Sequence, residues 1–367
     1  MRKLNRIHST LELALDQVRG LARLSGRPAP TCDSNQRKFV GAALLSCAGL
    51  LALVFTMNVI VDPLALAGTG LVPSAVENDR AVKLCLIGQL KKAPEILILG
   101  SSRSRQAEPA FLQRLTGHNG FNAGVTGGSA SDEYVFVRYT QDRFPLEGRR
   151  YIWFVDSGIA TNGINPQMAD VPQARKYLNG TGGFGLNDVE TYLGVQATKA
   201  SLRVLRKCVF SSCQSKIRYE ADGSIAARTL KFLPEQSKNF QADTVRLIDR
   251  IRANPPSTKP PDPKRFVWFK RALAFMNAHG SRPVIVFNPI DPTVLAELRK
   301  YGNPEIKTSL AYLRKLSKQY HFVVVNCEDI RTWGGSAKDF TNPAHVNRRN
   351  MRRMLRYIVA HSDGALD

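Results

Sequence analysis

The chain is expected to fold as an α/β domain with a parallel sheet, preceded by one membrane-spanning helix. Three observations predict this. Short apolar runs alternate with helical patterns along residues 95–155 and again from 264 onward. Phe39 to Val61 form 23 consecutive positions without a charge. Two of the apolar runs end in glycine-containing turns, at Gly100 and at Gly120–Gly128. Strands alternating with helices imply βαβ units.

Residues 1–38 read as a basic tail. Ser9-Thr-Leu-Glu12 is a capping-box pattern followed by Leu and Val at helical intervals, which predicts a short amphipathic helix over 9–24. The uncharged stretch 39–61 is long enough to cross a bilayer. A cleaved signal peptide would have a shorter basic region and a shorter apolar core. Arg37 and Lys38 abut the stretch, whereas Asp62 and Pro63 follow it. The positive-inside rule therefore places the N-terminus in the cytoplasm and the chain from about residue 62 outside the cell membrane. Residues 62–93 read as a connector.

The globular elements follow in order. A strand is expected over 95–100, a helix over about 108–116, a strand near 121–123, a helix over about 129–143 and a strand over 150–155. The pattern resumes with a helix over 264–279, a strand over 283–288, a helix over 304–319, a strand over 321–326 and a helix over 345–361. The α/β domain thus comprises 94–162 and 263–367. The intervening 163–262 is too long for a plain loop. It contains Gly180-Thr-Gly-Gly-Phe-Gly and Asp222-Gly223, a hairpin-turn pair, and it ends in Pro-rich 255–261. An insertion after the third strand lies at the ligand-binding end of a parallel sheet, as a lid or a substrate platform.

Composition narrows the partners. The chain has 52 Lys/Arg against 30 Asp/Glu, a net charge of +22. The tail holds eight of the basic and three of the acidic residues, so 44 and 27 remain beyond it, a net +17. Such a field favours polyanions. Zinc-ligand spacing, RNP-type aromatics and heptad-linked basic regions are all missing, which argues against nucleic acid. No Cys-x-x-Cys metal pattern occurs among the six cysteines, and neither metal nor organic cofactor is implied. Cys208 and Cys213 are close enough in sequence to staple a local loop.

The chemistry-bearing stretch is Ile96-Leu-Ile-Leu-Gly-Ser-Ser-Arg-Ser104. It delivers serines off a buried strand, where a hydroxyl can sit beside free backbone N–H groups. The same serines suit capping of the next helix, and the stretch by itself leaves both readings open. Further along stand Gly120-Phe-Asn-Ala-Gly-Val-Thr-Gly-Gly128 and Asp339-Phe-Thr-Asn-Pro-Ala-His345. The order of serine turn, glycine turn and late histidine resembles the SGNH/GDSL hydrolase superfamily. The nearest likeness is to its membrane-anchored branch in bacterial cell-surface polysaccharide O-acetylation. The resemblance covers roughly residues 94–361 apart from the insertion.

The resemblance implies a three-layer α/β/α sandwich of flavodoxin-like type with a five-stranded parallel sheet. It also implies a serine esterase or O-acyltransferase acting on acylated cell-envelope glycan, with a membrane-embedded acyl-donor protein as a possible partner. The last serine of the Gly-Ser-Ser block maps to Ser102 as nucleophile, with Ser101 its nearest rival, and His345 maps to the base. The family's aspartate three residues before the histidine is replaced here by Asn342, with Asp339 a further candidate. Oxyanion donors map to the N–H groups of Ser102 and Gly127, with Gly124 and Gly128 as alternatives. The family's Gly-x-Asn-Asp block is missing, which leaves Asn162 as a side-chain donor. Arg103, Arg105 and Asp156 are candidate substrate contacts. The alternative class is a catalytically inactive scaffold of the same fold that binds an anionic surface polymer.

Overall fold

A computed structural model describes residues 34–63, 78–156, 163–178, 186–210, 219–226, 229, 236–258 and 262–367. The expected 9–24 helix, the 180–185 glycine segment and Cys213 lie outside the described residues. The chain divides into two compact units, Met1–Thr56 and Met57–Asp367.

The uncharged stretch folds as one helix, α1 (Ser34–Val61). Its Lys38–Val61 part is long and apolar enough to cross a membrane. Phe39, Leu44, Leu45, Leu50 and Leu53 all expose their side chains, as a lipid-facing helix requires. The expected connector holds a helix, α2 (Asp79–Gln89), capped by the Asn78 side chain accepting from Arg80 N–H. Ala81, Leu84 and Ile87 are its buried face. That spacing was present in the sequence.

Then come β1 (Ile96–Leu99), α3 (Pro109–Thr116), β2 (Gly120–Asn122), α4 (Ala130–Arg143) and β3 (Arg150–Val155). The insertion contributes α5 (Pro166–Ala169), α6 (Pro172–Leu178), α7 (Leu186–Leu193), α8 (Val195–Phe210) and α9 (Phe240–Ala253). The domain resumes with α10 (Val267–Ala278), β4 (Val284–Phe287), α11 (Pro292–Lys300), α12 (Pro304–Leu316) and β5 (Val323–Asn326). It ends in β6 (Phe340–Asn342), β7 (His345–Val346) and α13 (Arg348–Ala360). The expected helix over 345–361 therefore starts three residues late. Asn347 caps it by accepting from the N–H groups of Arg349 and Asn350, which frees His345 to pair as a strand.

The first five strands form one sheet in the order β2-β1-β3-β4-β5. Every pairing is parallel. Alternation along β1 sends Leu97 and Leu99 to one face, with Leu84 of α2, Phe136 of α4, Leu273 of α10 and Leu313 of α12. Ile96 and Ile98 face the other way, toward Phe111 of α3 and Met354 and Leu355 of α13. Both faces are covered, which explains strands that read as unbroken apolar runs.

Direction along the sheet reverses between β1 and β3, where doubly wound sheets open a crevice at their carboxyl ends. The exposed edge of β2 is covered by the insertion. Asn122 N–H donates to Asp222 O at 2.8 Å. Buried Lys83 donates to Asn122 O at 2.6 Å and to Gly223 O at 2.5 Å. Asp222-Gly223 forms the expected reversal, with Gly223 at φ 75° and Tyr219 bridged to Ile225.

Candidate active site

At the end of β1 the chain reverses at Gly100, whose φ of 138° is closed to residues with a side chain. A Cβ there would also sit 2.8 Å from Phe154 O. The turn lifts Ser101 and Ser102 above the sheet. Beneath them Ser104 is buried, and its N–H and Oγ–H both donate to Ser101 O, at 3.0 and 2.8 Å. The serines therefore stabilise their own turn, and the long helix waits until Pro109.

The second partner comes from the β6–β7 hairpin. Asn342 lies directly across from His345, and Pro343 and Ala344 form the tip. Asn342 Oδ1 accepts from Ala344 N–H at 3.0 Å and from His345 Nδ1–H at 2.9 Å. With Nδ1 carrying the proton, Nε2 is an acceptor, and Ser102 Oγ–H donates to it at 2.8 Å. Ser102, His345 and Asn342 thus form one hydrogen-bonded chain, although 243 residues separate the serine from the histidine.

Asp339 is not part of that chain. It accepts from Asn347 Nδ2 at 3.0 Å and from Arg353 at 2.6 Å, and Arg349 lies 3.6 Å away. Its carboxylate is committed to the start of α13, so Asn342 holds the imidazole. Ser101 Oγ accepts from Arg103 N–H at 3.4 Å, and His345 bonds to Ser102 instead.

The charges around His345 are positive. Burial, then Arg103 and Arg105, lower its pKa to about 4, against a smaller opposing pull from Asp156. Arg103 pairs with Asp156 at 3.1 Å, and Asn288 Nδ2 donates to the same carboxylate at 2.8 Å. Arg105 turns the other way, donating to Thr126 Oγ1 at 3.0 Å and lying 3.9 Å from Asp79. Of the two arginines, Arg103 is the one beside the carboxyl ends of β3 and β4.

The loop after β2 packs on the Gly100 turn, where Val125 N–H donates to Gly100 O at 3.0 Å. Gly124 N–H donates to Asn122 Oδ1 at 2.8 Å, and Gly128 N–H donates to Val125 O at 3.2 Å. Both alternative donors are thus occupied. Among the described residues, the N–H groups of Ser102 and Gly127 donate to no protein acceptor. Asn162 lies outside the described residues.

This loop is held by residues that sequence reasoning assigned to a connector. Arg80 is fully buried and donates to Asp132 at 2.9 Å, to Gln167 at 2.7 Å, and to Thr126 O and Gly127 O at 3.0 and 3.3 Å. Asp79 accepts from Thr126 N–H at 2.6 Å and from Thr126 Oγ1 at 2.8 Å. The polar pair Asp79-Arg80 opening an amphipathic pattern was the available signal, but its partners are dozens of residues away.

A cavity of about 60 Å³ lies behind the Ser101 turn, lined by Gly100, Gly128, Glu133, Trp153 and Phe269. Burial, then the neighbouring Asp132 charge, holds the Glu133 carboxyl well above the ordinary carboxylate value. Among the described residues, no cluster of His, Cys, Asp or Glu is placed to hold a metal ion. Cys208 is disulfide-bonded, whereas Cys47, Cys85 and Cys327 are free thiols.

Close packing under the serine turn gives a first prediction. A Cβ on Gly124 would sit 2.1 Å from Ser104 Oγ and 3.0 Å from Asn122 Oδ1. Gly124→Ala is expected to cost about 1–3 kcal/mol by overpacking, read as a lower denaturation midpoint. An unchanged midpoint would mean that Ser104 can leave the turn freely.

No family model matches the chain, and no curated protein matches it.

Proposed function

We propose that the protein is an SGNH-like serine hydrolase or O-acyltransferase acting on acyl esters of cell-envelope carbohydrate. The observation that carries this is the hydrogen bond from Ser102 Oγ–H to His345 Nε2, backed by Asn342 on Nδ1. Strand order, the glycine loop packed on the Gly100 turn and the position of the site at the strand reversal add support. In this reading α1 anchors the chain with the basic tail in the cytoplasm and the α/β domain outside, where acylated glycans and an acyl-donor membrane protein would meet it.

The chemistry follows from the geometry. Ser102 Oγ attacks the acyl carbonyl carbon as its proton passes to His345 Nε2. The new oxyanion accepts from the N–H groups of Ser102 and Gly127. The intermediate collapses to an acyl-serine, and His345 returns its proton to the departing sugar oxygen. Water or a second sugar hydroxyl then attacks the acyl carbon, giving its proton to His345, and Ser102 is released with that proton. Water makes the reaction a deacylation, and a sugar hydroxyl makes it a transfer.

Asn342 orients the ring but adds no negative charge to stabilise the imidazolium. The positive surroundings deepen that deficit. His345 remains neutral until the pH falls to about 4, so the acid limb of the rate profile should lie there and not near 6.5. Asn342→Asp would place a carboxylate against Nδ1 and raise the histidine by about 1–3 pKa units. The acid limb should move up correspondingly, with a gain in rate of about tenfold or more at neutral pH. A pH–rate profile that does not move would remove His345 from the proton path.

The second reading is a non-catalytic scaffold for an anionic surface polymer, favoured by Asn342 standing where a carboxylate is expected. Fluorophosphonate labelling of the full chain separates the two. A stable adduct at Ser102 supports the enzyme. A folded chain that never labels supports the scaffold.

A further inference from the structure

The insertion contains a helix whose outer face has no partner among the described residues. In α8, Ala197, Ser201 and Val204 are buried. On the opposite side Val195, Leu202 and Val209 are 68, 54 and 73 % exposed. These positions are seven residues apart, so they form one nearly straight stripe along four turns. Among the described residues, the other large exposed apolar side chains beyond α1, namely Leu115, Val245, Val267 and Tyr301, stand singly on separate elements. Lys199, Arg203 and Arg206 are also exposed, and Lys199 and Arg206 fall beside the stripe on the helical wheel. The helix has four Lys/Arg and no Asp or Glu.

Within the second unit, Asn58 Nδ2 donates to Tyr192 O at 2.5 Å and to Thr198 Oγ1 at 3.1 Å. The Tyr192 hydroxyl donates to Asp62. Asn58 belongs to the last turn of the apolar helix, and Asp62 is the first residue after it. The first turn of α8 is therefore bonded to the residues at which the chain leaves the apolar stretch. A helix tied there, with an apolar stripe bordered along one side by basic side chains, matches the surface of an anionic bilayer.

We infer that α8 is an interfacial foot. Val195, Leu202 and Val209 enter the acyl–headgroup boundary of the membrane crossed by α1, and Lys199, Arg203 and Arg206 lie among anionic lipid headgroups. The α7–α8 part of the insertion is then a membrane-seating element, distinct from a lid. This inference depends on α1 spanning the bilayer and is independent of the chemistry at Ser102.

The test uses the full chain in nanodiscs of phosphatidylethanolamine and phosphatidylglycerol, with p-benzoylphenylalanine installed singly at Val195, Leu202, Val245 or Leu45. All four side chains are exposed, so the substitutions do not disturb the core. After irradiation, intact-mass analysis should find lipid adducts at Leu45, Val195 and Leu202 and none at Val245 on α9. Exchanging phosphatidylglycerol for phosphatidylcholine should lower the Leu202 adduct at least ~threefold and leave the Leu45 adduct unchanged. Lipid adducts at Leu45 without any at Leu202 would overturn the inference, as would a Leu202 cross-link to a second copy. Failure at Leu45 would overturn it by removing the span on which it depends.

Discussion

Ser102→Ala is expected to abolish covalent labelling by fluorophosphonates and to lower ester turnover by about 10⁴-fold or more, while the denaturation midpoint stays near that of the parent chain. Ser102 is half-buried, and its Oγ makes one described hydrogen bond, to His345 Nε2. Its loss removes the nucleophile and little packing. His345→Ala should have a comparable effect, because a serine without its base is a poor nucleophile. The double variant should be scarcely worse than either single one, since members of such a unit act together. Turnover persisting in Ser102→Ala, with labelling moved to Ser101, would transfer the nucleophile by one residue. Labelling that survives in His345→Ala would show that the 2.8 Å contact is structural only.

The second large effect is on stability. Arg80→Ala is expected to cost about 3–5 kcal/mol, because it leaves the buried Asp132 carboxylate without its described counter-charge. Asp132 is fully buried and Asp79 nearly so, and Arg80 bridges them to the carbonyls of Thr126 and Gly127. A loss of that size is a large share of the 5–15 kcal/mol by which typical domains are stable. Arg80→Lys keeps the charge but not the fork of donors, so it should recover stability only in part. The labelling rate of Ser102 in the folded fraction should fall in Arg80→Lys, because the Gly127 loop loses its fixed position beside the Gly100 turn. An Arg80→Ala chain that unfolds at the parent midpoint would show that the network is solvated and not a determinant of the fold.

Local sequence determined the elements wherever a segment's environment is uniform along its length. The runs at 96–99, 151–155 and 284–287 form strands within a residue or two of expectation, since a strand buried on both faces must be apolar throughout. The uncharged stretch before Asp62 forms a single helix for a similar reason. The serine and histidine blocks were legible because each is short and sits at the end of an element. The helix α2 was missed although its cap and its apolar spacing are local, because the polar pair that opens it suggests solvent.

What only the tertiary structure decided are the pairings across long stretches of chain. Asp79 and Arg80 belong with Thr126, Gly127 and Asp132. Asp339 belongs with α13 and not with the imidazole. His345 belongs to a two-residue strand, whose register places Asn342 on its Nδ1. Lys83 holds the insertion against β2, and Asn58 ties α1 to α8. The physical reason is the same throughout. Apolar periodicity reports how far a residue lies from water, which its neighbours in sequence share. A buried charge or a ring nitrogen is satisfied by one particular atom, and the folding of the whole sheet decides which atom arrives there.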